Sequence, residues 1–342
     1  MSDILSDFKT LSVESQERVL DQLRQEFEGK DSVLKLVANE LSIQGTNKKC
    51  PYCGSISVNK RGINKIGVQN YQCKAADCKK WFCNTTGTSI HWVKKKNLWQ
   101  DYLKLMQSKT SIKKAAKELG ISIQTSFNWR HKILSSLSSM LPSKLGGIVE
   151  CDELELPINE KGNRNLTRPS RKRSSDFKRN THDKTVTTVQ VVTAVSRDGK
   201  KYMKAVESKR LSSRQINKAI GSRLAKGSIL ITDEHNSYKG FVATKKGITH
   251  KTVLAKEHVK KGDKTVHLQT VNSAHNQLRR FLDPFQGVST KYLQNYLNWH
   301  ICEKEIQKAA SQLKQWFGAI LTTDIAYKTY ILFTQNAVNI RT

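Results

Sequence analysis

The chain has 342 residues, 59 Lys or Arg against 29 Asp or Glu, a formal net charge of +30 and 37% hydrophobic residues. A charge this one-sided argues for a polyanionic partner rather than a merely solvated surface, and nucleic acid is the commonest polyanion. No apolar run is long enough to span a membrane, and MSDILSDFKT has neither a basic nor an apolar leader region. A soluble, cytoplasmic protein of two or three domains, with no membrane role, is expected.

Residues 1–44 read as a helical segment. Its clearest part is 12–28, where Ser12 suits an N-cap and Val19, Leu20, Leu23 and Phe27 form an apolar stripe. Residues 45–92 carry a cysteine module. CPYC supplies Cys50 and Cys53; nineteen residues later YQCKAADC supplies Cys73 and Cys78. Two such turns joined by a hairpin bring four thiolates onto one tetrahedral Zn²⁺, the arrangement of a structural zinc ribbon. Cys83, four residues beyond Cys78, is an alternative to Cys73 or Cys78, because the second spacing is wider than usual. The total of seven cysteines is odd and argues against a secreted disulfide framework.

Residues 93–140 fit a helix-turn-helix. KKAAKEL forms one helix, Gly120 breaks it, and ISIQTSFNWRHKIL forms the second. Ile112, Ala115, Ala116, Leu119, Ile121, Phe127 and Ile133 would make its core. Gln124, Thr125, Asn128, Arg130 and His131 would then face DNA. The plain alternative is an ordinary αα-hairpin.

Strand patterns begin near residue 146. GIVECDELEL is a short strand. Residues 159–184 hold nine Lys or Arg with no core pattern and read as a basic loop, with Arg171, Lys172 and Arg173 as candidate DNA contacts. KTVTTVQVVTAVSRDGKKYMKAVE alternates as a hairpin turning at RDGK. Residues 213–225 look helical, GSILITD is a buried strand ending on an acid, HKTVLAK is a further strand, and 270–283 and 289–308 are helices. Residues 311–342 are apolar enough to pack but have no assigned place.

Acids at strand ends carry the chemical signal. Asp152 follows Ile148–Val149, and Asp233 closes ILITD. Such acids project into the crevice beyond a sheet, where two could hold Mg²⁺ (or Mn²⁺), ions that favour oxygen ligands and leave room for phosphate and water. Strand alternation puts Glu150 on the face of Asp152, as a possible source of extra charge, and Glu153 on the other. In TVNSAHNQLRRFL, Asn272, His275 and Arg279 share one helical stripe, while Val271, Ala274 and Leu278, with Phe285 beyond, would pack on the sheet.

Taken in order, CPYCGS with YQCKAADCKKWF, NTTGTSIH, the helix-turn-helix, GIVECDE, ITDEHNSY, HLQTVNSAHNQLRRFL and KYLQNYLNWH cover about residues 45–305. This set resembles bacterial DDE-type insertion-sequence transposases with an N-terminal zinc ribbon and an ISXO-like catalytic domain. The resemblance implies an α/β, RNase H-like catalytic core over 145–310, a mixed sheet flanked by helices and preceded by the zinc ribbon and helix-turn-helix. It implies Asp152 and Asp233 as the first two metal ligands. The third position, Glu in many members, is Asn272 here. A subgroup has Asn there with a Lys seven residues on, where this chain has Arg279.

An Asn oxygen can coordinate Mg²⁺, and Arg279 can bind a phosphate bidentately. The alternative for Asn272 is a helix N-cap. The implied partners are double-stranded DNA, both terminal inverted repeats and target, with a homodimer or higher assembly on it. The implied activity is end hydrolysis followed by attack of the freed 3′-OH on target DNA. The alternatives are an inactive, element-derived DNA-binding regulator and another nuclease on the same fold.

Overall fold

The computed structural model describes residues 10, 12–16, 18, 49–63, 69–83, 85–91, 93, 95, 98–166, 188–207, 210–254, 257, 259–308, 316 and 319. Most of the expected N-terminal helix, the centre of the basic loop with Arg171, Lys172 and Arg173, and nearly all of 311–342 lie outside these residues. Among them, no helix is long and apolar enough to cross a membrane.

The cysteine module is a three-stranded antiparallel sheet of β1 (Val58–Ile63), β2 (Gln69–Cys73) and β3 (Trp81–Cys83). Its small core is Cys50, Tyr71, Cys73 and Phe82, with the Tyr71 and Phe82 rings stacked at 5.4 Å.

Three helices follow: α1 (Trp99–Gln107), α2 (Ile112–Glu118) and α3 (Ile123–Ser136), the last extended by a 3-10 turn over Leu137–Met140. Helices α2 and α3 are the two arms read from the sequence. Ser111 and Ser122 cap them by accepting hydrogen bonds from the Lys114 and Thr125 amides. Gly120 turns the chain between them at φ +59°, a conformation that side chains disfavour. Helix α1 has no counterpart in the sequence reading, although Trp99, Tyr102, Leu103 and Met106 have helical spacing and are all buried.

The second sheet has five strands: β4 (Ile148–Pro157), β5 (Thr188–Ser196), β6 (Lys201–Glu207), β7 (Ile229–Asp233) and β8 (Thr249–Val253). Their spatial order is β6-β5-β4-β7-β8. Strands β4, β5 and β6 form an antiparallel meander, whereas β4, β7 and β8 run parallel.

Alternation along β4 divides the two sides. Val149 and Cys151 pack with α4 (Ser213–Ile220) and α5 (Asn236–Ala243) through Ile216, Ile220, Tyr238 and Phe241. Leu154 packs on the opposite face with α6 (Gln269–Leu282) through Val271, Ala274 and Leu278. A mixed sheet with helices on both faces is the RNase H-like architecture that the resemblance implied.

The α6-side core does not stop at this sheet. Trp99, Tyr102, Trp129, Ile133 and Leu134 of the helical region share one continuous cluster with Phe281, Phe285 and the residues of α7 (Leu293–Lys308), including Tyr296, Leu297 and Trp299. Each fully buried side chain of this size contributes about 1.5–3 kcal/mol of transfer free energy. The two-helix unit is thereby held on the five-stranded sheet rather than tethered to it.

That shared core corrects two expected DNA contacts. Arg130 and His131 are fully buried. The Arg130 guanidinium donates to the Thr110 carbonyl at 2.7 Å and lies against the Tyr102 and Trp299 rings. His131 meets Asn295 at 3.1 Å and the Tyr292 ring. Gln124 is exposed, Thr125 and Asn128 are half-buried, and the Gln124 amide donates to Asn128 Oδ1 at 2.9 Å. Lys132 reaches the His91 carbonyl at 3.3 Å and so ties α3 to the NTTGTSIH turn.

Candidate active site

The parallel pairing of β4 with β7 sets Glu150 opposite Ile231. The pairing ends there, and Asp152 and Asp233 each lie two residues further along their strands. Both side chains stand on the α6 face, as alternation from Ile148 and from Ile229 requires. Asp152 lies within β4, still paired with Thr193 of β5, whereas Asp233 closes β7, so the candidate crevice is on the α6 face just past the β4–β7 pairing.

The Asp152 carboxylate is three-quarters covered. Burial, with the Glu153 and Asp233 carboxylates close by, pushes it up to about 7. Asp233 accepts a hydrogen bond from the His235 amide at 3.1 Å. Glu153, on the other face, accepts from the Tyr238 hydroxyl at 2.7 Å.

Helix α6 brings His275 to the site, with Nδ1 4.0 Å from Asp152 Oδ2. Burial, helped by Arg279, lowers the imidazole to about 4, so it is neutral. Its Nε2 is buried without a hydrogen-bond partner. Asn272 and Arg279 share an exposed stripe, and Asn272 lines a groove with Gln269, Ser273, Asn276, Gln277 and Arg280. Arg279 donates to Asn276 Oδ1 at 3.1 Å. Of the three stripe residues, His275 is the one whose contact with Asp152 is direct.

Two sequence alternatives are settled here. Asn272 is not the N-cap of α6: that position is Leu268, which offers no capping side chain, and the Asn272 amide already bonds Leu268 O at 3.1 Å. Glu150 is not spare charge beside Asp152. It is fully buried, and its oxygens accept from the Thr270 amide (2.8 Å), the Thr270 hydroxyl (2.8 Å), the Val271 amide (3.1 Å) and Arg197 Nε (3.3 Å). The sequence reading missed this capping role. The signal available was a helix starting after Leu268 with no Ser, Thr, Asp or Asn at the cap position.

The residues present suit a divalent cation only in part. Asp152 and Asp233 offer two carboxylates, and burial, with the Glu153 and Asp233 charges, raises that of Asp152. Among the described residues, the four cysteines are the one group of three or more His, Cys, Asp or Glu side chains close enough to share an ion. A third oxygen ligand would therefore come from an amide such as Asn272.

The cysteine cluster fits a tetrahedral ion well. Cys50 and Cys78 sulfurs are 3.7 Å apart, Cys53 and Cys73 3.6 Å, and all four lie within 4.8 Å of one another. Tetrahedral bonds of ~2.3 Å to zinc require sulfur–sulfur edges of about 3.8 Å. Cys83 is not in this group. Its sulfur contacts Thr85 Oγ1 at 3.2 Å and His91 Nδ1 at 4.0 Å. Burial pushes its thiol up, but hydrogen bonds from His91, Thr85 and Thr86 outweigh that and bring it down to about 6.

The start of the basic loop is anchored near the far end of α6. Lys161 Nζ donates to the carbonyls of Phe285 (2.8 Å), Gln286 (3.2 Å) and Gly287 (3.1 Å), and the Thr290 amide donates to Asn159 O at 2.8 Å.

Comparison with known proteins adds a similarity to one transposase domain. Residues 144–299 match the model of the ISXO2-like transposase domain. The chain is 27% identical over 268 residues to an uncharacterized protein in transposable element ISH50 of Halobacterium salinarum, covering 75% of this chain and 85% of the relative. Among solved structures, the Mos1 strand transfer complex aligns at TM-score 0.29 and 12% identity, over 70% of this chain and 75% of that one. A simian T-cell lymphotropic virus intasome bound to a PP2A regulatory subunit aligns at TM-score 0.30 and 11% identity, over 67% and 73%. At scores this low the superpositions add nothing to the fold read from the strand order. The matched stretch, somewhat less than half of the chain, holds Asp152, Asp233 and Asn272.

Proposed function

We propose that the protein binds the terminal inverted repeats of an insertion sequence, hydrolyses the phosphodiester at the element's ends and joins the freed 3′-OH to target DNA. The observation that carries this reading is the neighbouring Asp152 and Asp233 carboxylates, each two residues beyond the β4–β7 pairing, with His275 4.0 Å from Asp152.

Asp152, Asp233 and the amide oxygen of Asn272 would hold Mg²⁺ or Mn²⁺. Such an ion supplies charge neutralisation at the scissile phosphate and its leaving oxygen. Neutral His275 orients the Asp152 carboxylate from the helix side. Arg279, exposed on the Asn272 stripe, takes a DNA phosphate. The formal charge of +30 draws the polyanion in and makes its affinity fall with salt. Gln124, with Thr125 and Asn128 beside it, is on the half of α3 that a helix-turn-helix presents to the major groove. Cys50, Cys53, Cys73 and Cys78 hold a structural Zn²⁺ with no open position. Joining two ends calls for a homodimer or higher assembly on DNA.

End cleavage and strand transfer on labelled inverted-repeat DNA with Mg²⁺ or Mn²⁺ test this reading. Separate Asp152→Asn and Asp233→Asn proteins should lose both activities while still binding DNA. Activity unchanged by either substitution refutes the metal site. Cleavage without any joined product makes the protein another nuclease on this fold. One observation favours a second reading, an inactive DNA-binding regulator: among the described residues, no three His, Cys, Asp or Glu side chains at the aspartates lie close enough together to share an ion. Specific binding of the repeats without cleavage under either metal would establish it.

A further inference from the structure

The hydrogen bonds around Glu150 assign this residue a role that its place beside Asp152 hides. We infer that Glu150 is a positioning residue: it fixes the first turn of α6, and through it Asn272 and His275, against the strand that bears Asp152. The inference rests on the proposed active site and adds the part that sets its geometry.

A helix leaves its first amide groups without partners; the cap residue Leu268 offers none, and His267 Nδ1 accepts only from the Gln269 amide, at 3.4 Å. Glu150 reaches across from β4 and accepts from the amides of Thr270 and Val271, the second and third residues of the helix, and from the Thr270 hydroxyl. The carboxylate thus meets the positive end of the helix dipole through charge-assisted bonds. The next residue after Val271 is Asn272, and His275 follows one turn later. Asp152 is two residues along the same strand, on the same face. Helix and strand are therefore joined two residues before Asp152 on one side and directly before Asn272 on the other.

The opposite side of the carboxylate is equally tied. Arg197, on the β5–β6 turn, donates from Nε to Glu150, and its Nη2 reaches the Thr265 carbonyl and His267. His267 Nδ1 is 3.2 Å from Glu150. The loop leading into α6 is pinned further by Asp263, which pairs with Lys251 on β8 at 3.2 Å. One buried carboxylate consequently links β4, the β5–β6 turn, the loop before α6 and the helix itself. With both oxygens occupied, it is unavailable as a metal ligand.

Glu150→Gln keeps the shape but replaces one acceptor oxygen with a donor facing other donors. In the full-length protein, hydrogen exchange of the peptide spanning 268–275 should accelerate at least about tenfold, from a lost cap and lost charged bonds. On inverted-repeat DNA, kcat should fall at least about tenfold while KM for DNA stays within about twofold, because remote positioning errors cost rate rather than substrate affinity. Val192→Ala, a cavity variant on the other side of the sheet, controls for plain destabilisation and should leave kcat per folded molecule unchanged. If Glu150→Gln does not fold, Thr270→Val, which removes only the hydroxyl bond, should still speed exchange and lower kcat, each about threefold. Unchanged exchange over 268–275, or an unchanged kcat in an active enzyme, overturns the inference. A wild-type protein with no cleavage at all would instead sink the proposed activity, and the exchange result would still decide the role of Glu150.

Discussion

Arg130 separates a DNA-reading arginine from a core one, and substitution tells them apart. Its guanidinium is fully buried between α3 and α7, bonded to the Thr110 carbonyl at 2.7 Å, with ring centroids of Tyr102 and Trp299 at 5.8 and 5.7 Å. Arg130→Ala removes one charge-assisted hydrogen bond, about 1.5–3 kcal/mol, and strands the Thr110 carbonyl. It also leaves a cavity where a long side chain stood, about 2–5 kcal/mol by analogy with other large-to-small changes. Against this, Nε and Nη1 are buried without partners, and their removal returns about 1–3 kcal/mol each. The net expectation is a loss of about 2–4 kcal/mol, or roughly 5–12 °C in melting temperature for a unit of this size.

Arg130→Met keeps most of the volume, removes the buried charge and should lie within about 1 kcal/mol of wild type. Denaturant melts of the three proteins, paired with anisotropy titrations on inverted-repeat DNA at fixed salt, read both quantities. Any DNA-affinity loss for Arg130→Ala should track the unfolded fraction and be absent for Arg130→Met. If Arg130→Ala melts like wild type and both variants bind DNA about tenfold more weakly, the buried placement is wrong.

The zinc ribbon gives a second prediction: purified protein should hold about one zinc per chain, and Cys53→Ser should lose it together with folding of residues 50–83. A Cys53→Ser protein that kept its metal would remove Cys53 from the site. Asn272→Glu should lower end cleavage, because a further carboxylate enters a site where burial, with Glu153 and Asp233, already pushes Asp152 up to about 7; equal or greater activity contradicts this. Acid should destabilise the protein through His131. Burial, with Arg130 and Lys291 nearby, lowers this imidazole to about 3. The unfolded chain takes up the proton below about pH 6.5, whereas the folded chain resists it until about pH 3, so stability is complete above 6.5 and falls as pH drops. At pH 5 this one group should cost about 2 kcal/mol. His131→Gln should flatten that part of the stability profile in melts at pH 7.5 and 5, and an unchanged profile refutes the assignment.

Much of the sheet and of α6 was legible locally. Val271, Ala274 and Leu278 recur at helical spacing, Glu150 and Asp152 alternate along one strand face, and RDGK marks the β5–β6 turn, because each of these signals is carried by residues a few positions apart. The four-cysteine cluster was equally readable, since sulfur chemistry and spacing leave few other arrangements. The choice between Cys83 and its neighbours was not, because it rests on which sulfur the hairpin turns inward.

Short-range periodicity and side-chain chemistry sufficed for the types of the main elements, the four-cysteine set and the two strand aspartates, of which Asp233 ends its strand and Asp152 lies within one. Only the tertiary structure decided which polar residues face water. Helical periodicity leaves Arg130 looking like a groove contact, until α7 brings Trp299 against it from 169 residues away. Glu150 looks like spare charge, until α6 folds back from 120 residues away and presents two amides with no other partner. Capping and burial by remote segments depend on loop closure and on packing between distant parts of the chain, which no local pattern encodes.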